Sequence, residues 1–177
     1  IDAPEGYAVP GGLPGMTGDA WIERVANLHV HSRYSDGTAD VPEIARAAGE
    51  AGVDVVIISD HNVLRSEEEG WHGNTLVLMG EELHNPARPH ENHLLIWGSG
   101  EELLPYTDRL QDAIDAALRC GAMAVIAHPI EHSGAAANEP EINWVDRGVT
   151  GLHGIELWNY MSEFKSHVHT MLHGLVY

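Results

Sequence analysis

Residues 53–62 read Val-Asp-Val-Val-Ile-Ile-Ser-Asp-His-Asn, a short run of β-branched side chains that ends in an acidic residue and a histidine. A run of this kind over Val53–Ser59 predicts a strand that is buried on both faces, as in a parallel sheet. Asp60 and His61 leave the strand at its carboxyl end. Because a core strand cannot bury such groups without partners, the pair predicts a functional site at that end.

The rest of the chain alternates between short apolar runs and helical patterns. Five further runs predict strands, at Val25–His31, Leu76–Met79, Leu94–Trp97, Ala122–Ala127 and Gly154–Trp158. Apolar residues at helical spacing predict helices from Asp40 or Val41 to Gly52, over Asp108–Cys120, and from Phe164 to about Leu175. This alternation predicts an α/β fold with a mostly parallel sheet, with an irregular hairpin at the third and fourth strands.

The composition limits the possible partners. The chain has 177 residues, with 27 acidic against 9 basic residues and a net charge of −18. So negative a surface argues against nucleic acid and anionic membranes as partners. The single cysteine, Cys120, excludes an internal disulfide, and no apolar run approaches the length of a membrane span. We expect a cytoplasmic location, although the first residue, Ile1, leaves any targeting signal out of view.

Metal-ligating residue types recur at the predicted strand ends. His29 and His31 are two apart in a strand, so their imidazoles face the same side while Leu28 and Val30 face apolar packing. Two convergent imidazoles suit zinc, iron or manganese. Other metal-ligating residues lie beside the ends of predicted strands: Asp36 is in a turn after this strand, His93 precedes an apolar run, and His61, Glu82 and His128 follow apolar runs. With the first pair they form a set of seven candidate ligands: His29, His31, Asp36, His61, Glu82, His93 and His128.

Three glutamates also lie at or within the predicted strands. Glu81 and Glu82 both end the third strand, and either could bridge two cations. Glu156 lies within the last predicted strand, where an unpaired carboxylate would be costly, so we expect it to orient a ligand or a neighbouring loop.

Active sites of barrels lie at the carboxyl ends of their strands, and the repeated pattern therefore favours a closed barrel over an open sheet.

Six segments resemble successive motifs of the PHP (polymerase and histidinol phosphatase) superfamily. They are NLHVHSRYSDG, VVIISDHN, LMGEEL, NHLLIWG, AVIAHP and GIELWN, spread over residues 27–159. The resemblance implies a distorted (β/α)7 barrel with two or three divalent cations. It also implies metal ligation by the seven residues above, with Glu82 favoured and Glu81 as the fallback.

One part of the family pattern is not found. A final D-x-H motif should supply further ligands, and nothing after Asn159 fits; His167-Val168-His169 lies in a helical stretch, where alternate residues diverge. A full barrel also needs about 250 residues. We therefore expect an extended N-terminal arm over residues 1–20, and a PHP domain over residues 21–177 that lacks its C-terminal strands.

The resemblance implies a metal-dependent hydrolase and favours a phosphoesterase that acts on a small phosphorylated ester through metal-activated hydroxide. We expect Asp60, His61 and Arg33 to be catalytic residues. Arg65 and Arg88 are further candidates for phosphate binding, and His132 or His90 for protonating the leaving group. The alternatives are a carboxylic ester or carbamate hydrolase, with an apolar pocket lined by Trp71, Trp97, Trp144 and Trp158, and a non-catalytic metal-binding module. The oligomeric state stays open.

Overall fold

The computed structural model of the protein describes residues 22–134 and 140–167. The predicted N-terminal arm, the end of the predicted third helix and His169 lie outside these residues. The described elements follow one another in this order: β1 (Ala26–Val30), α1 (Val41–Glu50), β2 (Val55–His61), β3 (Gly70–His72), β4 (Thr75–Leu83), β5 (Leu94–Trp97), α2 (Leu110–Cys120), β6 (Met123–Ile126), β7 (Ile130–Glu131), β8 (Ile142–Asn143), β9 (Gly154–Ile155) and α3 (Tyr160–His167).

The main sheet has seven strands in the order β1-β2-β4-β5-β6-β9, with β3 paired to β4. All six predicted strands are present in it. The long strand β4 pairs with β2 along one edge, and its other edge is shared by β3 and β5. β7 and β8 form a separate two-stranded sheet that the sequence patterns did not predict.

The sheet is mixed rather than mostly parallel. β1, β2 and β4 are parallel to one another, as are β6 and β9, but β5 is antiparallel to both of its neighbours. The reason is local: no helix lies between β4 and β5, so the ten residues 84–93 return the chain in the opposite direction. β4 and β5 correspond to the third and fourth predicted strands, so the predicted irregular hairpin is confirmed.

Helices α1 and α2 cover the outer face of this curled sheet. Val41 and Ala45 of α1 pack on Val56 and Ile58 of β2, in a cluster that includes residues of β4. A second cluster joins Ile114 and other residues of α2 to residues of β4, β5 and β6. Alternate residues of the strands therefore face the opposite, inner side, where polar residues collect at one end.

Local chemistry explains where the helices begin and end. Asp40 accepts a hydrogen bond from the backbone N–H of Glu43, while the Glu43 carboxylate accepts one from the backbone N–H of Asp40. This capping box resolves the choice between Asp40 and Val41 as the cap. α2 ends at Cys120 because Gly121 adopts a left-handed conformation. α3 begins at Tyr160 rather than Phe164, since the Asn159 side chain caps its first turn.

Three further details differ from the sequence prediction. β4 continues through Glu81 and Glu82 to Leu83, whereas β9 ends at Ile155, so that Glu156 follows the strand instead of lying within it. Leu28 does not face apolar packing, since 46% of it is exposed. β1 lies at the edge of the sheet, where fewer residues cover it.

The described sheet is open and not a closed barrel. β1 and β9 stand at its two ends and do not pair with each other within residues 22–134 and 140–167. The fold is thus a mixed α/β half-barrel, consistent with part of a PHP-type barrel. Among the described helices, none has the length and apolarity needed to cross a lipid bilayer.

Candidate metal centre

The strand directions bring the predicted ligands to one end of the sheet. β1, β2, β4 and β6 all point the same way, so the residues at their carboxyl ends are neighbours. β5 points the opposite way, and the residue that precedes it, His93, therefore lies at that same end. This explains why His93 opens an apolar run while the other candidates close one.

Glu82 is the centre of this cluster. Its side chain is fully buried and lies on the inner face of β4, where two oxygens are contacted by five imidazoles. Oε1 contacts His93 Nδ1 at 2.6 Å and His128 Nε2 at 2.9 Å, and Oε2 contacts His29 Nε2 at 2.9 Å, His31 Nε2 at 3.0 Å and His61 Nδ1 at 3.4 Å.

The electrostatics of the cluster follow from this arrangement. Burial raises the pKa of Glu82, but hydrogen bonds from His128 and the other imidazoles outweigh burial and hold it well below its usual value. Burial also lowers the pKa of His29, while Glu156 and Glu82 outweigh that effect and raise it to about 10. Glu82 is thus a carboxylate ready to bind positive charge, as a ligand shared between cations would be.

The donor atoms fit a divalent cation. The Nε2 atoms of His29 and His31 are 3.0 Å apart, and both lie within 3.0 Å of Glu82 Oε2. Two such nitrogens cannot both direct a proton at each other. A cation between them can bind the lone pairs of both nitrogens and an oxygen of the carboxylate at the same time. Imidazole and carboxylate ligands without a thiolate suit zinc, manganese or iron.

Asp36 joins the cluster from the loop after β1. Its oxygens lie 3.4 Å from His31 Nδ1 and 3.6 Å from His61 Nε2, and the side chain is 66% exposed. A hydrogen bond with His61 holds the pKa of Asp36 well below its usual range, although burial opposes this. Asp36, His31 and His61 therefore form a group of ligands that solvent can reach.

The cluster offers several overlapping groups of ligands. Five groups of three residues each place one nitrogen or oxygen per residue within 4.8 Å of the others. All seven predicted ligands occur in them, together with two residues outside the predicted set. The groups are His29-His31-Glu82, His31-Asp36-His61, Glu82-His93-His128, His29-His128-Glu156 and His61-His84-His93.

Glu156 contacts the back of the cluster. Its carboxylate lies 3.1 Å from His29 Nδ1 and accepts hydrogen bonds from the His128 backbone N–H at 2.9 Å and the Asn159 amide at 3.1 Å. Burial raises the pKa of Glu156, but His29 outweighs this and lowers it. A carboxylate on the far nitrogen of a metal-binding imidazole fixes the orientation of the ring, the role expected from the sequence.

Glu131 makes a comparable contact that the sequence analysis missed. It is buried in β7, with Oε2 3.7 Å from His128 Nδ1 and Oε1 2.6 Å from Lys165 Nζ in α3. Ser162 also donates a hydrogen bond to it at 2.5 Å. Burial raises the pKa of Glu131, while Lys165 and Ser162 outweigh it and lower the pKa. The only sequence signal is its position three residues after His128.

His84 is a second residue that the sequence analysis missed. It lies just beyond β4, and its ring contacts those of His61 and His93. Burial lowers the pKa of His84 to about 4, with His93 and His61 adding to the effect. The signal was available, because side chains two residues apart in an extended chain share a face and His84 follows Glu82 by two.

The structure separates Glu82 from its neighbour Glu81. Glu81 points to the opposite face of β4, where it is fully buried and accepts a hydrogen bond from the Leu103 backbone N–H at 2.8 Å. Burial raises the pKa of Glu81 to about 7. Glu82 and not Glu81 therefore lies among the imidazoles.

Asp60 and Arg33, which we expected to be catalytic, are not brought into the cluster. Asp60 faces away from His61 along β2 and accepts hydrogen bonds from the backbone and hydroxyl of Ser32, at 2.7 and 2.6 Å, and from Ser35 at 2.7 Å. It therefore fastens the loop that carries Asp36. Arg33 forms an ion pair with Asp40, the cap of α1, in place of a contact with the ligands.

The other candidates for substrate contacts are dispersed. Arg65 pairs with Glu67 at 2.6 Å and Arg88 with Glu91 at 3.4 Å. His90 and His132 are exposed and belong to none of the five ligand groups in the described residues. The tryptophans have separate surroundings: Trp71 lies in β3, Trp97 packs on the inner face, Trp144 packs under α2, and Trp158 is exposed.

Comparison with known proteins assigns the family. The sequence profile of the PHP domain matches residues 27–172, most of the chain. The protein therefore belongs to the PHP family, as the motifs predicted. Among curated proteins, no sequence matches this chain.

Solved structures share the fold at low sequence identity. A candidate metal-dependent phosphoesterase from Bifidobacterium adolescentis aligns with a TM-score of 0.50 and 13% identity, over 82% of each chain. A two-domain protein from Bacteroides vulgatus, which contains a predicted PHP-like metal-dependent phosphoesterase, aligns with a TM-score of 0.48 and 19% identity. That alignment covers 75% of this chain and 43% of the other, so this chain spans less than half of the two-domain protein.

Proposed function

We propose that the protein is a metal-dependent phosphoesterase that hydrolyses a small phosphate ester at a centre of two or three divalent cations. The observation that carries the proposal is the buried carboxylate of Glu82, contacted by five imidazoles beside a solvent-accessible Asp36. The shared fold with a candidate phosphoesterase supports the same reaction.

Six residues of the cluster have assigned roles in this proposal. Glu82 would hold the cations, with His29 and His31 at one binding position and Asp36 and His61 at another. Glu156 holds the His29 ring in place through Nδ1. Divalent cations bound there would lower the pKa of water towards 7 and neutralise charge on the ester oxygens. The sheet keeps this geometry fixed, because His29, His61 and Glu82 lie within three neighbouring strands, β1, β2 and β4.

The charge of the protein limits the substrate. A net charge of −18 repels long polyanions, which favours a small ester over nucleic acid. The three arginines nearest the motifs are already paired with carboxylates. In this proposal the bound cations, and not guanidinium groups, hold the phosphate oxygens.

The same observation favours a second candidate function. A phosphate-binding site usually includes Arg or Lys, and a site that relies on cations alone can also accept a neutral ester. A carboxylic ester or carbamate hydrolase therefore remains the alternative, with the same metal ligands and the same attack by water.

One assay distinguishes the candidates. Purified protein is incubated with Mn²⁺ or Zn²⁺ and then with nitrophenyl phosphate or nitrophenyl acetate, before and after exhaustive chelation. The proposal predicts faster, chelator-sensitive hydrolysis of the phosphate. Preference for the acetate would support the alternative. Stable metal binding without hydrolysis of either ester would indicate a structural module and contradict the proposal.

A further inference from the structure

Asn62 ties the ends of two strands together beside the metal ligands. It follows His61 and adopts a left-handed backbone conformation, with φ 56°, that is uncommon outside glycine. Its backbone N–H donates to the Glu82 carbonyl at 3.1 Å. Its side chain contacts His84 twice: Oδ1 accepts from the His84 backbone N–H at 3.0 Å, and Nδ2 lies 3.2 Å from His84 Nε2.

These contacts determine the position of the proton on the His84 ring. The backbone N–H of His84 can only donate, so the amide oxygen of Asn62 must face it and the NH₂ group must face the ring. An NH₂ group is a donor, and His84 Nε2 must therefore accept with its lone pair. A neutral imidazole with an unprotonated Nε2 carries its proton on Nδ1.

The Nδ1–H group of His84 has no acceptor among the described residues, although it is buried. The ring stacks on His93, with centroids 4.8 Å apart and planes at 14°, and meets the His61 ring edge-on at 5.1 Å. A buried donor without a partner is costly, so a native structure usually supplies one. No described residue supplies that partner, so a bound molecule beside His61 and His93 is the candidate acceptor.

The arrangement argues against His84 as a metal ligand, even though it lies within ligand range of His61 and His93. Ligation through Nε2 would replace the hydrogen bond from Asn62. Ligation through Nδ1 would move the proton to Nε2, where it would meet the NH₂ group of Asn62. Turning the amide would then set the NH₂ group against the His84 backbone N–H. Either mode breaks contacts that the left-handed Asn62 is held to make.

We propose that His84 donates a hydrogen bond from Nδ1–H to an anionic oxygen of the bound substrate; this rests on the function proposed above. An ester oxygen bound beside His61 and His93 would lie within reach of this donor, and His84 would stabilise the negative charge that develops on it during hydrolysis. A fixed neutral donor of this kind strengthens transition-state binding without needing a proton transfer.

The first test is the tautomer in the unmodified protein. Two-bond ¹H–¹⁵N correlation spectra of the zinc-loaded protein, with ¹⁵N-labelled histidine, show which ring nitrogen carries the proton, and His84→Phe identifies the signal. We expect a proton on Nδ1 and none on Nε2, and a shift of the Nδ1–H signal when inorganic phosphate is added. A proton on Nε2, or a signal that phosphate does not move, would overturn the inference.

The second test uses two variants at the same position. His84→Phe keeps an aromatic ring without a donor, and His84→Asn restores an amide donor near the position of Nδ1. We expect His84→Phe to lower kcat on nitrophenyl phosphate roughly 100–1000-fold, as loss of an oxyanion donor does, and to weaken phosphate binding. His84→Asn should remain within about tenfold of the parent. Equal losses in both variants would contradict the inference.

Metal content separates a donor from a ligand. Both variants should retain the number of zinc ions found in the parent protein, measured by elemental analysis after dialysis. Loss of one zinc equivalent in His84→Phe would identify His84 as a ligand and overturn the inference. If the parent protein hydrolyses no ester with any metal, the proposed function fails, while the tautomer and the phosphate shift still decide the role of His84.

Discussion

At the scale of single residues, two adjacent glutamates have opposite environments. Glu82 faces the imidazoles and has a lowered pKa, whereas Glu81 faces the hydrophobic layer and has a raised one. The two side chains are both fully buried in the same strand, so each serves as the control for the other.

Glu82→Gln should remove metal binding. The neutral amide cannot balance the charge of two cations, and it places an NH₂ group among imidazoles. Loss of a partner outside the ligand shell already costs about 10–100-fold in affinity or activity, so we expect a loss of at least about 100-fold here. Calorimetric titration with zinc measures it. Glu81→Gln should bind zinc as the parent does, and equal losses in both variants would contradict the assignment.

Glu81→Gln should change the pH dependence of stability. The pKa of Glu81 rises from 4.5 to about 7 on folding, so the folded state favours the protonated carboxyl group. The parent protein should therefore lose stability relative to the variant as pH rises from about 4.5 to 7, by about 3 kcal/mol in total. Urea denaturation of both proteins across this range measures the difference in the free energy of unfolding. Both proteins have the same candidate metal ligands, so the pH dependence contributed by those ligands cancels in the comparison. A difference independent of pH would refute the prediction.

At the scale of elements, the sequence predicted the strands better than their directions. Each of the six apolar runs contains a strand, and the signal is strongest where burial on both faces leaves a continuous β-branched run, as in Val55–Ser59. The irregular hairpin of β4 and β5 was predicted, but the antiparallel pairing of β5 with β6 was not, because strand direction depends on how the connecting chain crosses the sheet. The short strands β7 and β8 have two residues each, too few to carry a periodic pattern.

The candidate site could also be predicted in part from the sequence. Candidate ligands at strand ends could be predicted because a histidine or carboxylate interrupts an apolar run, as at His61 and His128. Glu131 and the pairing of Arg33 with Asp40 could not be found, since both depend on contacts that only the folded chain creates. His84 was overlooked although it follows Glu82 at the spacing of one strand face.

Gly37→Ala should disturb the loop that carries Asp36. A Cβ atom there would lie 2.2 Å from the His31 carbonyl oxygen and 2.8 Å from that of Ser32, so the backbone has to move. We expect a loss of about 1–3 kcal/mol in stability, as for overpacking elsewhere, together with weaker zinc binding. Denaturant unfolding and zinc titration measure the two effects.

Gly148→Ala is the matched control for this loop. Its added Cβ would meet only Asp146 Oδ1 at 3.5 Å, an ordinary contact. We expect a change within about 0.5 kcal/mol and no change in zinc binding. If Gly37→Ala behaves in the same way, the loop after β1 does not depend on the close approach seen here.

At the scale of the whole molecule, the metal centre should contribute to stability. The ligands come from separate strands, so cations bind the folded chain far better than the unfolded one. Cation at about 1,000 times its dissociation constant would add about 4 kcal/mol. We expect chelation to lower Tm in scanning calorimetry and added zinc to restore it, while Glu82→Gln should respond much less. A Tm unaffected by chelation in the parent would contradict this expectation.

We propose above that Glu82 and the five imidazoles around it form a metal centre. Anomalous diffraction from crystals grown with zinc, recorded on both sides of the zinc absorption edge, tests it most directly. We expect a peak bounded by His29, His31 and Glu82, with Zn–N distances of about 2.0–2.1 Å, and at least one further peak within the cluster. Crystals that diffract well and show no anomalous peak among these residues at millimolar zinc would contradict it.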